Sequence, residues 1–187
     1  FKNLESAVQK YASSNSNSFL VDKTSDAITF LKLVSQKYDV ATANPPYTDS
    51  SDFGVDLKEF IDTNYKQPYK FNTNLYATFI KRCYELTDEN GKIAMVHPPT
   101  FMYIKTFEDV RKFILDKTYI DFFVEWGYLG MFNPSARVDS AMYILSKAPN
   151  EKDSSFMKLN ELYEGKRFDT FNVAYDDFLN TVQNKYN

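Results

Sequence analysis

YDVATANPPY, residues Tyr38 to Tyr47, is the stretch on which the fold reading turns. Its first half, Asp39 to Ala43, is short and nearly uncharged, which predicts a buried strand. The strand has to stop at Asn44-Pro45-Pro46, because neither proline can donate to a ladder. With φ fixed at both prolines the turn is stiff, so Asn44 is held with little conformational entropy left to lose. Open α/β sheets place their ligands in the crevice beyond the carboxyl ends of their strands. This turn falls there.

Around that strand the chain alternates. Residues 1 to 12 read as helix, Ser13 to Ser18 as a Ser- and Asn-rich loop, and Ser25 to Gln36 as an amphipathic helix with Asp26 near its start. That helix carries Ile28, Leu31, Leu33 and Val34 as its apolar positions. Asp49 to Asn74 is polar, aromatic and poorly periodic, with one short helix at Leu57 to Thr63; connections of that length in compact domains are often lids or binding loops. Leu75, Phe79, Cys83 and Leu86 then recur at helical spacing and stop before Asn90-Gly91. Lys92 to His97 reads as a strand closed by Pro98-Pro99, Phe107 to Leu115 as helix, Ile120 to Trp126 and Arg137 to Ser146 as strands. Strand, helix, strand predicts parallel α/β packing. The last two strands lack an intervening helix and are expected to form an antiparallel hairpin around Gly127 to Ser135. Past Pro149 the composition turns polar, so residues 1–149 are expected to form one domain, and residues 150–187 a linker or the start of another.

The turn suits one chemical task. The Asn44 amide oxygen and the Pro45 carbonyl can each accept a hydrogen bond from an exocyclic amino group. On adenine, two such acceptors would hold both N6 hydrogens, favour a more nucleophilic nitrogen and aim it at a methyl donor. Tyr47 offers a ring face for stacking, worth on the order of 1 to 3 kcal/mol per base. The base would have to leave the duplex first, since the reacting nitrogen is otherwise paired inside it. A proline-rich turn that merely ends a strand is the alternative. By average residue usage the tetrapeptide arises by chance in fewer than about one chain in a thousand of this length, which favours the chemical reading without excluding the other.

Bulk composition narrows the class. Hydrophobic residues make up 43% of 187, with 14 Tyr and 17 Phe against 5 Gly, so this is a globular chain with rings to spare for stacking. No apolar run approaches the roughly 18 to 20 residues needed to cross a bilayer, and no signal peptide opens the chain; a cytoplasmic address and no membrane partner are expected. One cysteine, Cys83, excludes an internal disulfide. With a single histidine, His97, and no Cys pair, no metal site is expected. A net charge of −3 argues against this chain gripping DNA alone, since phosphate binding normally needs a basic surface. The opening FKNLESAVQKY lacks Met and reads as mid-helix, as in an excised piece of a larger enzyme.

These residues resemble the amino-methyltransferases that bear a (D/N/S)-PP-(Y/F) motif, and specifically their N6-adenine branch. NLYATFIKRCYELTDENGKIAMVHPPTFM, Asn74 to Met102, is similar to the helix-plus-strand segment of TaqI-type enzymes. MFNPSARVDSAMYIL, Met131 to Leu145, is similar to their hairpin. KYDVATANPPY, LKEFIDTNY and LYATFIKRCYELTDENGKIAMV resemble, in order and spacing, the PglX family of large methyltransferases in BREX phage defence and the related type IIG restriction-methylation enzymes. About residues 30 to 148 are covered. The resemblance implies the C-terminal, catalytic half of a Rossmann-like sheet, S-adenosyl-L-methionine as cofactor, and double-stranded DNA and other defence-system proteins as partners of the full-length enzyme. It implies Asn44, Pro45, Pro46 and Tyr47 as catalytic residues, Phe79 against the cofactor's adenine, and Phe132 stacking opposite Tyr47 on the flipped base. Asp26 matches, by order, an acidic residue at the cofactor, although an Asp near a helix start reads equally as a cap.

One departure stands out. Gly54, Gly91, Gly127, Gly130 and Gly165 form no G-x-G turn and none precedes the motif, so the cofactor's Gly-rich turn is expected upstream and the piece alone is expected to be inactive. His97 reads as structural rather than as a base, since N6 transfer needs no strong base before attack. Asp52, Asp56, Glu59 and Asp62 read as a solvated face, and Arg137 as either a phosphate contact or a solvent-facing strand charge. Two other functions stay open: a protein glutamine or RNA or guanine amino-group methyltransferase using the same turn, and a non-catalytic binding module.

Overall fold

The computed structural model describes residues 6–7, 10–11, 18–127, 138–148, 153–159, 166 and 169–173, the backbone alone at 18–22. Two compact units result, Phe1–Tyr38 and Asp39–Asn187.

In the first unit, helix α1 spans Ser18–Ser35 and begins seven residues earlier than its apolar spacing suggests. Asp26 therefore lies inside the helix, where it caps nothing, and the capping reading falls. Of the expected apolar face only Ile28 is buried; Leu31 and Leu33 are 46% and 51% exposed. The helix closes with the Ser35 hydroxyl donating to the Leu31 carbonyl and the Tyr38 hydroxyl donating to the Leu33 carbonyl.

The second unit is built on a sheet of five strands, β1 (Tyr38–Ala43), β2 (Thr87–His97), β3 (Tyr119–Gly127), β4 (Ser140–Ser146) and β5 (Ser155–Lys158), in the spatial order β1-β2-β4-β3-β5. Strand β4 pairs antiparallel with β2, from Lys92↔Ser146 to His97↔Ala141, and antiparallel with β3, from Tyr119↔Ser146 to Gly127↔Ser140. Strands β2 and β3 consequently run the same way. The antiparallel pairing of the last two predicted strands holds, and β4 returns into the gap between β2 and β3 rather than extending the sheet outward. Gly127 ends β3 at a bulge with φ 93°, a conformation open to glycine because it lacks a Cβ.

Two expectations for strands need correction. Val40 is 57% exposed, and Asp39 and Thr42 are exposed with it. Strand β1 has only β2 beside it among the described residues, and only Ala41 and Ala43 pack on the main core. Strand β2 starts at Thr87, not Lys92, because the helix over Leu75–Leu86 passes straight into it: the Thr87 N–H and hydroxyl both go to the Cys83 carbonyl, the latter at 2.6 Å. The sheet also extends past residue 149, where composition changes, since β5 pairs parallel with β3 through Phe122↔Ser155 to Glu125↔Lys158.

Helices α2 (Val55–Tyr65), α3 (Leu75–Leu86), the single turn α4 (Thr100–Tyr103) and α5 (Glu108–Lys117) complete the unit. Period-two alternation gives the sheet two apolar faces. Ile93, Met95, Phe123, Tyr143 and Leu145 face one core with α3 and α5, while Phe122, Val124 and Trp126 face another with Leu159 and Phe171. On α3 the buried positions are Tyr76, Ala77, Thr78, Ile80 and Cys83, so the inward face is turned from the 75/79/83/86 stripe that spacing alone suggests. Phe79 points outward as a result, 36% exposed. No described helix is long and apolar enough to cross a membrane.

The long connection after the motif is nailed down by rings. Phe113 of α5 meets Tyr69, Phe71 and Tyr84 edge-on at centroid distances of 5.1, 5.0 and 4.9 Å. Truncating it strips one wall from three partners at once, and Phe→Ala changes in cores cost about 3 to 5 kcal/mol. Phe113→Ala is accordingly expected to lower the urea unfolding free energy by that amount; a loss under about 1 kcal/mol would show that the cluster does not hold the connection.

Candidate active site at the strand ends

Two strand ends meet one helix start. Strand β1 delivers Asn44-Pro45-Pro46-Tyr47 and β2 delivers His97-Pro98-Pro99. Because the two prolines offer no N–H, the motif loop is short of backbone donors and has carbonyls to spare. The first N–H groups of a helix have no partner inside the helix. The two needs match: the Leu75 N–H, first in α3, donates to the Thr48 carbonyl at 3.0 Å. One residue earlier, Asn74 uses both ends of its amide. Its Oδ1 accepts from the Tyr76 N–H at 3.1 Å as the cap of α3, and its Nδ2 donates to the Tyr47 carbonyl at 3.2 Å. An Asp49↔Asn74 bridge extends the contact by one more pair.

Within the motif, Asn44 and Pro46 are exposed, Pro45 is buried and Tyr47 is half-buried. The Tyr47 hydroxyl donates to Asn44 Oδ1 at 2.9 Å. An amide oxygen has two lone pairs, so that bond orients the acceptor and leaves capacity for a second donor. Burial raises the Tyr47 phenol above its ordinary range, which keeps it protonated and a donor.

The second strand end is a closed network. His97 is fully buried, stacked on Tyr76 at 4.4 Å and 10°, with Nδ1 2.9 Å from the Pro98 carbonyl and Nε2 2.6 Å from the Tyr143 hydroxyl. A carbonyl only accepts, so Nδ1 carries the proton and Nε2 accepts from Tyr143. Burial pulls the imidazole down from 6.5 to about 4. His97 is thus a neutral structural residue, which agrees with its sequence reading. Tyr76 also bonds Thr100 through its hydroxyl at 2.9 Å, and burial pushes that phenol up to about 12. Through Tyr76 the start of α3 ties the second strand end to the first.

The remaining expected site residues are placed unevenly. Phe79 stands outward on α3, one turn beyond Asn74. Asp26 belongs to the other compact unit. Phe132 and Arg137 lie outside the described residues. Asp52, Asp56 and Glu59 are exposed as expected, while Asp62 is half-buried and accepts from the Asn72 amide. Among the described residues no group of three or more His, Cys, Asp or Glu is placed to hold a metal ion. Asn74 is the residue sequence reasoning passed over; an Asn at the head of a helix signals a cap, but nothing in spacing signals its second bond.

The chain belongs to the Eco57I restriction-modification methylase family, whose model matches residues 1–132. It is similar to the adenine-specific methyltransferase BrxX of Escherichia coli O9:H4 (strain HS), 36% identical over 89 residues, which are 47% of this chain and 7% of that protein. It is also similar to the adenine-specific methyltransferase PglX of Lacticaseibacillus casei (strain Zhang), 31% identical over 43% of this chain and 6% of that one. The chain therefore spans less than a tenth of the length of either relative. Among solved structures, a Listeria monocytogenes protein assigned to the class I S-adenosylmethionine-dependent methyltransferases aligns with a TM-score of 0.53 at 19% identity, over 74% of this chain and 42% of that one. The fold is that of class I methyltransferases.

The buried imidazole has a pH consequence. Unfolded, His97 takes up a proton below about 6.5; folded, it does so only near 4. Its contribution to stability is thus complete above 6.5 and is lost as pH falls from 6.5 toward 4, a difference of roughly 3 kcal/mol. Urea unfolding across that range should show His97→Gln losing less stability on acidification than the native chain. Parallel curves would mean that His97 is not buried neutral.

Proposed function

We propose that the full-length protein transfers a methyl group from S-adenosyl-L-methionine to the N6 amino group of an adenine flipped out of double-stranded DNA, in a BREX or restriction-modification defence system, and that this chain supplies the base-holding half of the site. The observation that carries the reading is the Asn44-Pro45-Pro46-Tyr47 turn, held at a strand end through the Tyr47 carbonyl, with Asn44 exposed and its amide oxygen oriented by the Tyr47 hydroxyl. Family membership and the names of BrxX and PglX favour adenine over a glutamine or RNA nitrogen.

In this reading Asn44 Oδ1 and the Pro45 carbonyl accept the two N6 hydrogens, so the nitrogen lone pair turns out of conjugation with the ring and toward the methyl carbon. The N6–C bond forms as the S–C bond breaks, and the proton then leaves N6 for solvent. Tyr47 stacks on one face of the base and Phe132 is assigned to the other. The cofactor, when bound, supplies an electrophilic methyl on a sulfonium. The outward, part-exposed ring of Phe79 fits a role against its adenine. Other defence-system proteins are proposed partners.

Losing one preorganised hydrogen bond to a reacting group costs about 100-fold to 1,000-fold in rate. In the full-length enzyme Asn44→Ala should lower kcat for adenine methylation by that factor and leave the cofactor's dissociation constant unchanged. Near-normal turnover, measured by methyl incorporation into duplex DNA, would remove Asn44 from the mechanism.

A further inference from the structure

We infer that Asn74 is a positioning residue for methyl transfer, acting through Tyr47 and Asn44. The inference rests on the proposed function and goes one residue deeper into the same site. As a helix cap, Asn74 needs only Oδ1, and Asp, Ser or Thr would serve as well. Only an amide adds a donor on the same short side chain, and here that donor is used: Nδ2 meets the Tyr47 carbonyl at 3.2 Å while Oδ1 holds the Tyr76 N–H at 3.1 Å. The amide's orientation is unambiguous, because a backbone N–H can only donate and a carbonyl can only accept. Asn74 is also 93% buried by area, at 7% exposure, so its two bonds do not compete freely with water.

From there the coupling is two bonds long. Asn74 fixes the Tyr47 backbone, and the Tyr47 hydroxyl bonds Asn44 Oδ1 at 2.9 Å. The side chain proposed to stack on the base and the oxygen proposed to accept from N6 are therefore set by one buried amide, whose own place is set by α3. The neighbouring Leu75 N–H to Thr48 carbonyl bond is backbone and survives any substitution at 74, so losing the Nδ2 bond loosens the motif without releasing it. A misplacement on the order of 1 Å at reacting groups is enough to cost about 100-fold in rate.

The test uses the full-length enzyme and two substitutions that keep the cap but remove the amide donor. Asn74→Asp places a carboxylate oxygen against the Tyr47 carbonyl; Asn74→Ser is neutral and shorter. For both, the KM for S-adenosyl-L-methionine should match the native enzyme and the thermal midpoint should fall by no more than the loss of one buried hydrogen bond accounts for, while kcat at saturating duplex DNA falls roughly 10-fold to 100-fold. Native kcat in a folded variant would overturn the inference. A fall in thermal midpoint matched by an equal loss of cofactor affinity would reduce Asn74 to a structural cap. Should Asn74→Asp fail to fold, Asn74→Ser decides by the same criteria. Asn44→Ala run alongside separates the two claims: if it is inert and Asn74→Ser is native-like, only the positioning role fails; if Asn44→Ala keeps native turnover, the proposed function fails with it.

Discussion

Two consecutive prolines leave a loop short of backbone donors but not of carbonyls, and the start of a helix is where unpaired N–H donors are found. That complementarity joins the motif after β1 to the head of α3, through Thr48 to Leu75 and Tyr47 to Asn74. Much of the second unit follows from it. Once α3 is pinned at its first turn, Tyr76 is placed to stack on His97, and β2 must end where that imidazole can reach Pro98 and Tyr143. At its other end α3 runs into β2 without a loop, and Lys147, from just beyond β4, caps the junction through the carbonyls of Tyr84 and Thr87. Helix and strand are thereby one rigid piece behind the site.

The division of labour between the two strand ends is chemical as well as mechanical. The β1 end leaves Asn44 exposed with capacity for a further donor, as a group that binds something must be. The β2 end is shut: its histidine is neutral, doubly hydrogen-bonded and stacked, so it provides stiffness and no titratable chemistry near neutral pH. The proposed methyl transfer, which needs orientation and acceptors rather than a strong base, would be served by such a pairing.

What was legible in the sequence divides along physical lines. Local signals were reliable: the strand before Asn44, the bounds of α3 at Leu75 and Leu86, and the antiparallel partnership of β3 with β4 all follow from periodicity and prolines. Choices settled by tertiary contacts were not. Spacing chose the 75/79/83/86 stripe of α3, whereas the sheet took Tyr76, Ala77 and Ile80, and that rotation is what leaves Phe79 available outward. The Asn90-Gly91 pair read as a stop, yet it is absorbed into β2 because Thr87 terminates the helix with its own hydroxyl. The insertion of β4 between β2 and β3, the exposure of β1 and the addition of β5 depend on strand order, which no single strand's sequence encodes. In the candidate site, the residue types proposed to do chemistry were visible from the motif, while Asn74 was not, since its bond to Tyr47 exists only once residues 27 apart in sequence are brought together.

Asn44 and Pro45 are proposed to hold the amino group of an extruded adenine. That role is tested most directly by a structure of the full-length enzyme on duplex DNA carrying its target site, with a non-transferable cofactor analogue in place. The expected result is an adenine outside the helix, its N6 within about 2.7 to 3.2 Å of Asn44 Oδ1 and of the Pro45 carbonyl, and the Tyr47 ring parallel to it. A stacked, undisturbed duplex, or an extruded base whose N6 is held by other groups, would contradict it.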